Sequence, residues 1–217
     1  MRRVLGARRA GTALLGGALL LAAIAGCGIR PTQVPVDAGP APSRMPCDAT
    51  EDGPAGTGPR DITVQVYLLC AAQLRTVYRT AVLPEATGVD SSVQVARALL
   101  AELREEPTAA ETEAGFSTQV RGPMGIEGPR DGDPAGTLRL TRMPDELAPR
   151  ALAQIVCTLA KSRAVPSAET VLLGGPGAYP PKSYGCPQRT MERPQEPVPT
   201  HAVTAPSPHP SEAPWGP

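Results

Sequence analysis

The distribution of proline sets the strongest limit on what this chain of 217 residues can fold into. Its 27 prolines are too many for one compact domain, because proline fixes φ and removes a backbone N–H donor. They concentrate in residues 28–60, which show no hydrophobic period, and in residues 187–217, where nine of 31 residues are proline. We therefore predict a flexible tether over 27–60, one domain over 61–186 and a disordered Pro-rich tail over 187–217.

Residues 1–26 have the pattern of a secretory signal. Arginines at positions 2, 3, 8 and 9 precede an apolar run that begins at Gly11, and small residues stand before Cys27. A basic head, a short apolar core and small residues before the cut are typical of such signals. The alternative is an uncleaved anchor, but the 16 residues from Gly11 to Gly26 are rich in Gly and Ala. A membrane-spanning helix needs about 20 strongly apolar residues.

The segment that ends at Cys27 resembles a bacterial lipobox. That resemblance implies cleavage in front of Cys27 and a thioether-linked diacylglycerol on its sulfur. Two acyl chains (palmitate is the usual kind) give stable attachment where a single chain is marginal. We therefore expect a lipoprotein anchored to the cell membrane on its extracytoplasmic face.

Lipidation of Cys27 leaves four cysteines for the rest of the chain. An even number in an oxidising compartment predicts two disulfides, and four cysteines allow three pairings. We favour Cys157–Cys186, which ties a helix to the end of the domain, and Cys47–Cys70, which ties the tether to the first strand. The alternative for Cys157 is a buried free thiol that acts as a small apolar side chain.

Hydrophobic periodicity over 61–186 predicts an α/β (α+β) domain. The expected fold is a small sandwich of two helices on a mixed sheet of four or five strands, in the order β-β-α-β-β-α-β. The first helix is expected to be capped at Asp90 and stopped by Pro107, and the second to open at Pro144. The strands are predicted at 62–70, 74–82, 124–126, 137–141 and 168–173. The apolar face of the first helix is predicted at Val93, Ala96, Leu99, Leu100 and Leu103, and that of the second helix at Leu147, Ala151, Leu152, Ile155, Val156 and Leu159.

This order of elements resembles the GerMN domain of sporulation and spore-germination lipoproteins, which also occurs in the LpqB-like lipoproteins of high-GC Gram-positive bacteria. The matching pieces are 66–69 (VYLL), 99–103 (LLAEL), 107–115 (PTAAETEAG) and 151–159 (ALAQIVCTL). The resemblance covers about residues 62–175 and implies a small α/β sandwich that binds partners at the envelope. It carries over no catalytic residue, since the family has no established chemistry.

The chain offers few residues for catalysis or ligand binding. The carboxylate pairs Glu105-Glu106 and Asp145-Glu146 are predicted at helix ends, where solvated or capping roles are usual. The segment 174–177 (GGPG) lacks the Lys-Ser/Thr of a phosphate loop, and 131–134 (DGDP) is too short for a calcium loop. With no CxxC pair, and with His201 and His209 in the tail, we predict no metal, no cofactor and no enzyme activity.

Charge also limits the choice of partners. The mature chain would carry 17 basic and 21 acidic residues, which argues against nucleic acid as a partner. The first hypothesis is a non-catalytic protein-interaction module in envelope or sporulation processes, bound to an envelope protein or to its own copies. The alternative is a ligand-binding lipoprotein for a small molecule or cell-wall fragment, which requires a sizeable pocket with convergent polar groups.

Overall fold

The computed structural model describes residues 47, 48, 58, 60–82, 89–166 and 169–203. The predicted signal, the lipidation site Cys27, most of the tether, and residues 204–217 therefore lie outside the described part. The elements in chain order are β1 (Asp61–Cys70), β2 (Gln73–Val82), α1 (Val89–Arg104), α2 (Ala109–Glu113), β3 (Ile126–Glu127), β4 (Leu138–Leu140), a 3-10 turn (Pro144–Glu146), α3 (Pro149–Ala160), β5 (Thr170–Gly174), β6 (Lys182–Gly185), α4 (Gln188–Glu192) and β7 (Thr200–Ala202).

The strands form two sheets, and the predicted α+β class is confirmed. An antiparallel hairpin joins β1 to β2, and the second sheet has the order β3-β4-β5-β6-β7. In that second sheet only β4 and β5 run parallel, so the sheet is mixed as predicted. The prediction did not separate the hairpin from the other strands, because alternation along a strand does not say which sheet the strand joins.

Both long helices bury the predicted apolar residues that they contain, and Leu147, predicted in the second helix, is buried just before it. Helix α1 covers one face of the hairpin with Val93, Ala96, Leu100 and Leu103. Helix α3 is different, because all ten residues from Ala151 to Ala160 are buried. It contacts β1 and α1 as well as β5 and β6, so it has no solvent face over those residues.

The hairpin turns over two alanines in a left-handed conformation. Ala71 has φ 48° and Ala72 has φ 67°, and the closing pair of the ladder is Cys70 with Gln73. Positive φ at both central residues is the geometry of a type I′ turn, which matches the twist of the strands but normally selects Asn-Gly. The hairpin therefore accepts local backbone strain at its tip.

Helix α2 is small but firmly attached to the hairpin. Thr108 and Glu111 form a capping box, in which Thr108 Oγ1 accepts from the Glu111 N–H and Glu111 Oε2 accepts from the Thr108 N–H. The same carboxylate takes a two-bond ion pair from Arg79 of β2, with the Nη2 to Oε2 distance 2.7 Å. Arg79 also donates to the Glu102 carbonyl, so this one side chain joins β2 to both α1 and α2.

Two predicted helix starts are wrong. Helix α1 already begins at Val89, so Asp90 lies inside it rather than at the cap. Residues 144–146 form a separate 3-10 turn, and α3 begins at Pro149. The helix cannot run through, because the ring of Pro149 disfavours helical backbone at Ala148, whose ψ is 139°.

The predicted domain end at 186 and the disorder predicted from 187 are also wrong for the described residues. The chain continues into α4 and then β7, which pairs with β6. Burial of Thr190 and Val198 holds this segment against the core. The strand predicted as the last, β5, is therefore followed by β6 and β7, and β7 places His201 in an exposed strand. Over the described residues, no helix combines the length and the apolar content that crossing a membrane requires.

Candidate functional site

The two edges of the β1–β2 hairpin are the clearest contrast in the structure. On β1, the backbone groups of Tyr67 and Leu69 point away from β2 and into the protein. The Tyr67 N–H donates to Thr158 Oγ1 at 3.0 Å, and the Tyr67 carbonyl accepts from Gln154 Nε2 at 3.0 Å. Leu69 exchanges two backbone bonds with Ser117, of 2.9 and 2.8 Å. Side chains of α3 and one bridge residue thus close this edge.

Gln154 holds two chain segments at once. Its Oε1 accepts from the Gln119 N–H at 2.8 Å, while its Nε2 binds the Tyr67 carbonyl. Gln154 is 0% exposed and Thr158 is 1% exposed, so these bonds are shielded from water. A buried backbone group left without a partner costs about 1–3 kcal/mol, which makes this closure a requirement of the fold.

The outer edge of β2 has no such closure. The register pairs Tyr67 with Thr76 and Leu69 with Leu74, so the backbone groups of Leu74, Thr76 and Tyr78 point away from β1. The hairpin is a two-stranded sheet, and no further strand pairs with β2 in the described part of the chain. The edge therefore offers a regular row of donors and acceptors.

A groove of about 430 Å³ runs beside this edge, between β2, helix α4 and the Cys47–Asp48 segment. Its apolar surface comes from Leu74, Tyr78 and Met191, and its polar surface includes Asp48 and Glu192. Near the tip of β2, Arg75 is exposed, also lines this groove, and has no ion pair with any residue that the structure describes. Edge, groove and guanidinium together form the candidate site.

A second open groove, of about 510 Å³, lies at the C-terminal end of α1. Arg104 and Arg121 contribute guanidinium groups to it, Glu106 contributes a carboxylate, and Phe116 contributes a buried ring. Arg104 Nη1 lies 3.4 Å from the Met124 carbonyl, a long hydrogen bond that leaves its charge facing the groove.

A tyrosine pair lies under the 3-10 turn, with Tyr184 fully buried and its hydroxyl 3.4 Å from that of Tyr179. Burial raises the pKa of Tyr184 far above the usual range, so this phenol stays neutral and cannot serve as a base near pH 7. Hydrogen bonds from Tyr179 and then Lys182 hold the pKa of Asp145 below its ordinary value. With Lys182 2.9 Å away, Asp145 is a paired surface carboxylate.

The glycines at 174 and 175 have a packing role. The Arg139 side chain lies against Gly174, where an added Cβ would approach its Cγ to 3.1 Å, and Tyr179 lies equally close to Gly175. Arg139 donates to the Gly175 carbonyl at 2.7 Å and makes a two-bond ion pair with Asp133, both bonds 2.6 Å. Within 131–134, Asp133 therefore fixes the loop between β3 and β4.

The predicted cysteine pairs lie at disulfide distance. Cys47 and Cys70 have an S–S distance of 2.09 Å, and Cys157 and Cys186 have one of 2.02 Å. The first joins the segment before the domain to the end of β1, and the second joins α3 to the end of β6. Neither of these pairs leaves a free thiol for chemistry.

The remaining predicted positions do not converge. Glu105 and Glu106 are exposed in the segment after α1, and Glu146 is exposed in the 3-10 turn, so the two predicted carboxylate pairs lie on separate segments. Every buried side-chain nitrogen and oxygen in the described residues has a hydrogen-bond partner, and those residues contain no group of three His, Cys, Asp or Glu suited to a metal.

The sequence reasoning missed the closure of β1. Gln154 and Thr158 stand four residues apart on an otherwise apolar helix, which places both on one face. That spacing was the available signal, because a buried amide and hydroxyl need polar partners.

Among solved structures, the chain is similar to the tandem GerMN domains of the sporulation protein GerM from Bacillus subtilis, with 19% identity and a TM-score of 0.36. The match covers 68% of this chain and 49% of that one, so the chain spans about half the length of the solved protein. No protein-family model and no curated protein matches the chain. A TM-score of this size carries no argument about function, which has to come from the residues described above.

Proposed function

We propose that this chain is an exported lipoprotein, anchored through Cys27, whose α+β domain binds another protein of the envelope without catalysis. The single observation that supports binding is the open edge of β2, in a hairpin whose other edge is closed by buried side chains. Unpaired edges are sites of strand addition, and proteins normally protect those that have no use.

Export and anchoring are supported by the cysteines. Disulfides persist in oxidising compartments, and both cysteine pairs lie at bonding distance. Cys27 then remains as the single cysteine outside these pairs, directly after the predicted signal. A lipid on Cys27 would anchor the domain to the membrane.

Anchoring is tested by labelling cells of the native host with an alkyne analogue of palmitate and separating membrane from soluble fractions. Labelled wild-type protein is expected in the membrane fraction. The Cys27→Ser variant is expected to carry no label. The Cys157→Ser variant is the matched control, since it removes a cysteine but should keep the label. Recovery of unlabelled wild type from the cytosol, with the four cysteines other than Cys27 reduced, contradicts the proposal.

Binding is tested with a photoreactive amino acid at exposed positions in intact cells. Position 75 lies on the open edge, and position 150 lies at the exposed start of α3. A discrete cross-linked species is expected from position 75 and none from position 150. Equal cross-linking from both positions, or none from either, contradicts a specific protein-binding role for this edge.

A ligand-binding role is the second candidate, favoured by the size of the 510 Å³ groove and its two arginines. Pockets that hold small molecules have volumes of about 300–1,000 Å³. A small anionic ligand would be expected to raise the melting temperature of wild type and not of the Arg121→Ala variant. Calorimetric titration with acidic cell-wall peptides checks this candidate, and equal binding to both proteins rejects the groove as the site.

A further inference from the structure

We infer that the outer edge of β2 accepts an extended segment of another polypeptide as an added strand, and that this segment carries an acidic residue opposite Arg75. The inference rests on the proposed protein-binding function and names the surface and the chemistry of the partner.

The hydrogen-bonding row has the spacing of a strand. Leu74, Thr76 and Tyr78 alternate with residues that bond to β1, so their N–H and C=O groups face outward every second residue. A strand laid along this row would exchange bonds with each of the three. The intervening residues Arg75 and Val77 would then form the close, non-hydrogen-bonded pairs with the incoming chain.

The positive charge of Arg75 favours an acidic residue in the incoming strand. Arg75 is exposed near the tip, opposite Leu68, and it lines the groove together with Asp48 and Glu192. No carboxylate in the described residues pairs with it. An acidic side chain at the position across from Arg75 would lie within direct reach, and opposite charges across a strand pair attract.

The same charge disfavours a second copy of this chain as the occupant. Antiparallel pairing of two β2 edges about a two-fold axis at Thr76 would place Arg75 diagonal to Arg75 of the other copy. Like charges at these positions are destabilising, and charged edges commonly prevent self-pairing. The partner is therefore a different polypeptide.

The groove favours apolar side chains at the positions on either side of the acid. Residues that flank the acid would point to the other face, where Leu74, Tyr78 and Met191 line the 430 Å³ groove. Small or branched apolar side chains fit there, because strand residues alternate between the faces of a sheet. The recognised pattern is apolar–acidic–apolar in an extended segment.

The test uses a synthetic peptide roughly nine residues long, the length of a full strand. It alternates threonine and valine, has a glutamate at its centre and has blocked ends; the control peptide has lysine at the centre. Each is titrated into the folded domain with both disulfides intact, and backbone amide signals are followed by NMR. The glutamate peptide is expected to shift and protect the Thr76 and Tyr78 amides and to bind about five- to tenfold more tightly than the lysine peptide.

Two variants test the contribution of charge and the contribution of backbone hydrogen bonding separately. Arg75→Glu should reverse the preference, so that the lysine peptide binds more tightly. Thr76→Pro removes one outward N–H and should weaken binding of both peptides by about tenfold while the fold is kept, because proline is tolerated at the outward positions of an edge strand. Amide signals that are unchanged away from the substituted position and its neighbours define the retained fold for both variants.

Three results overturn the inference: protection of the Thr76 and Tyr78 amides in the protein alone, equal affinity for the two peptides, or dimerisation through this edge in sedimentation. Failure here leaves the proposed function standing if position 75 still yields a specific cross-linked protein in cells. Loss of both the peptide binding and the cross-link rejects the two together.

Discussion

The two edges of one hairpin solve the same physical problem in different ways. At the β1 edge, the backbone groups of Tyr67 are buried and must be bonded within the protein, and Gln154 and Thr158 do this from helix α3. At the β2 edge, the backbone groups of Thr76 and Tyr78 lie beside an open groove and have water available as a partner. The difference shows that one edge belongs to the core and the other to the surface.

The comparison also explains why polar residues occur in the most buried helix. Without them, the core could bury α3 against β1 only by leaving backbone groups of β1 unbonded. The open edge needs no such device, and its side chains (Thr76, Tyr78 and Arg75) have the composition of a surface.

The largest expected effect comes from opening the closed edge. The double variant Gln154→Met/Thr158→Val removes the partners of the Tyr67 N–H and carbonyl and of the Gln119 N–H while keeping side-chain volume. We expect a loss of about 4 kcal/mol in the free energy of unfolding, since each buried orphan group costs about 1–3 kcal/mol. Urea denaturation of the double and single variants measures it. A loss under about 1 kcal/mol for the double variant would mean that water reaches this edge.

The next largest effect is expected at a buried ion pair of the second sheet, which is charged, whereas the side chains that close the β1 edge are neutral. Asp133 and Arg139 pair in the second sheet, with side chains 5% and 7% exposed. The hydrogen bond from Arg139, and then one from the Arg130 backbone, lower the pKa of Asp133. Asp133→Asn should cost about 3 kcal/mol at pH 7, because it leaves a buried guanidinium without its counter-ion.

The pH dependence of this pair follows from the sign of the shift. A depressed pKa in the folded state means that the contribution is present above the unfolded value of about 3.9 and is lost as the pH falls through the lower, folded value. Wild type should therefore lose stability below about pH 4 more steeply than Asp133→Asn. Amide and hydroxyl bonds of the β1 edge do not titrate, so the stability lost in the Gln154→Met/Thr158→Val double variant should not change over this pH range. Parallel curves for the two proteins would reject the assignment.

A smaller effect is expected at the hairpin tip, which both edges share. Ala71→Asn and Ala72→Gly supply the residues that a type I′ turn prefers at positive φ. Each should stabilise the fold by about 1 kcal/mol, which is the strain removed from a non-glycine residue in this region. Thermal and urea denaturation measure the gain. Ala72→Val is the matched control, and it should destabilise because a branched side chain resists positive φ.

The smallest effect is expected on the open edge. Thr76→Val removes the hydroxyl that accepts from Gln65 Nε2 at 3.3 Å and leaves the backbone row intact. The change in free energy of unfolding should stay within about 0.5 kcal/mol, as for other surface substitutions. A loss comparable to that of Thr158→Val would show that this edge is also part of the core.

Much of the secondary structure could be predicted from local pattern. Alternation over 62–68 and the helical spacing of Val93 to Leu103 predicted the first hairpin strand and α1, because burial on one face leaves a period in the sequence. The later elements β6, α4 and β7 were not predicted, since they are short and the proline content around them resembles that of a linker. Their order comes from packing on the core, which composition does not record.

The sequence by itself determined which segments are apolar on one face, where prolines interrupt helices, and that four cysteines remain for pairing after Cys27. The tertiary structure decided which hairpin edge is closed, because Gln154 lies 87 residues from Tyr67 and only the packing of α3 brings them together. It also decided that Gly174 and Gly175 make room for Arg139 and Tyr179. Periodicity records how each segment meets its surroundings, whereas the identity of the partner across the core is set by the three-dimensional arrangement of the whole chain.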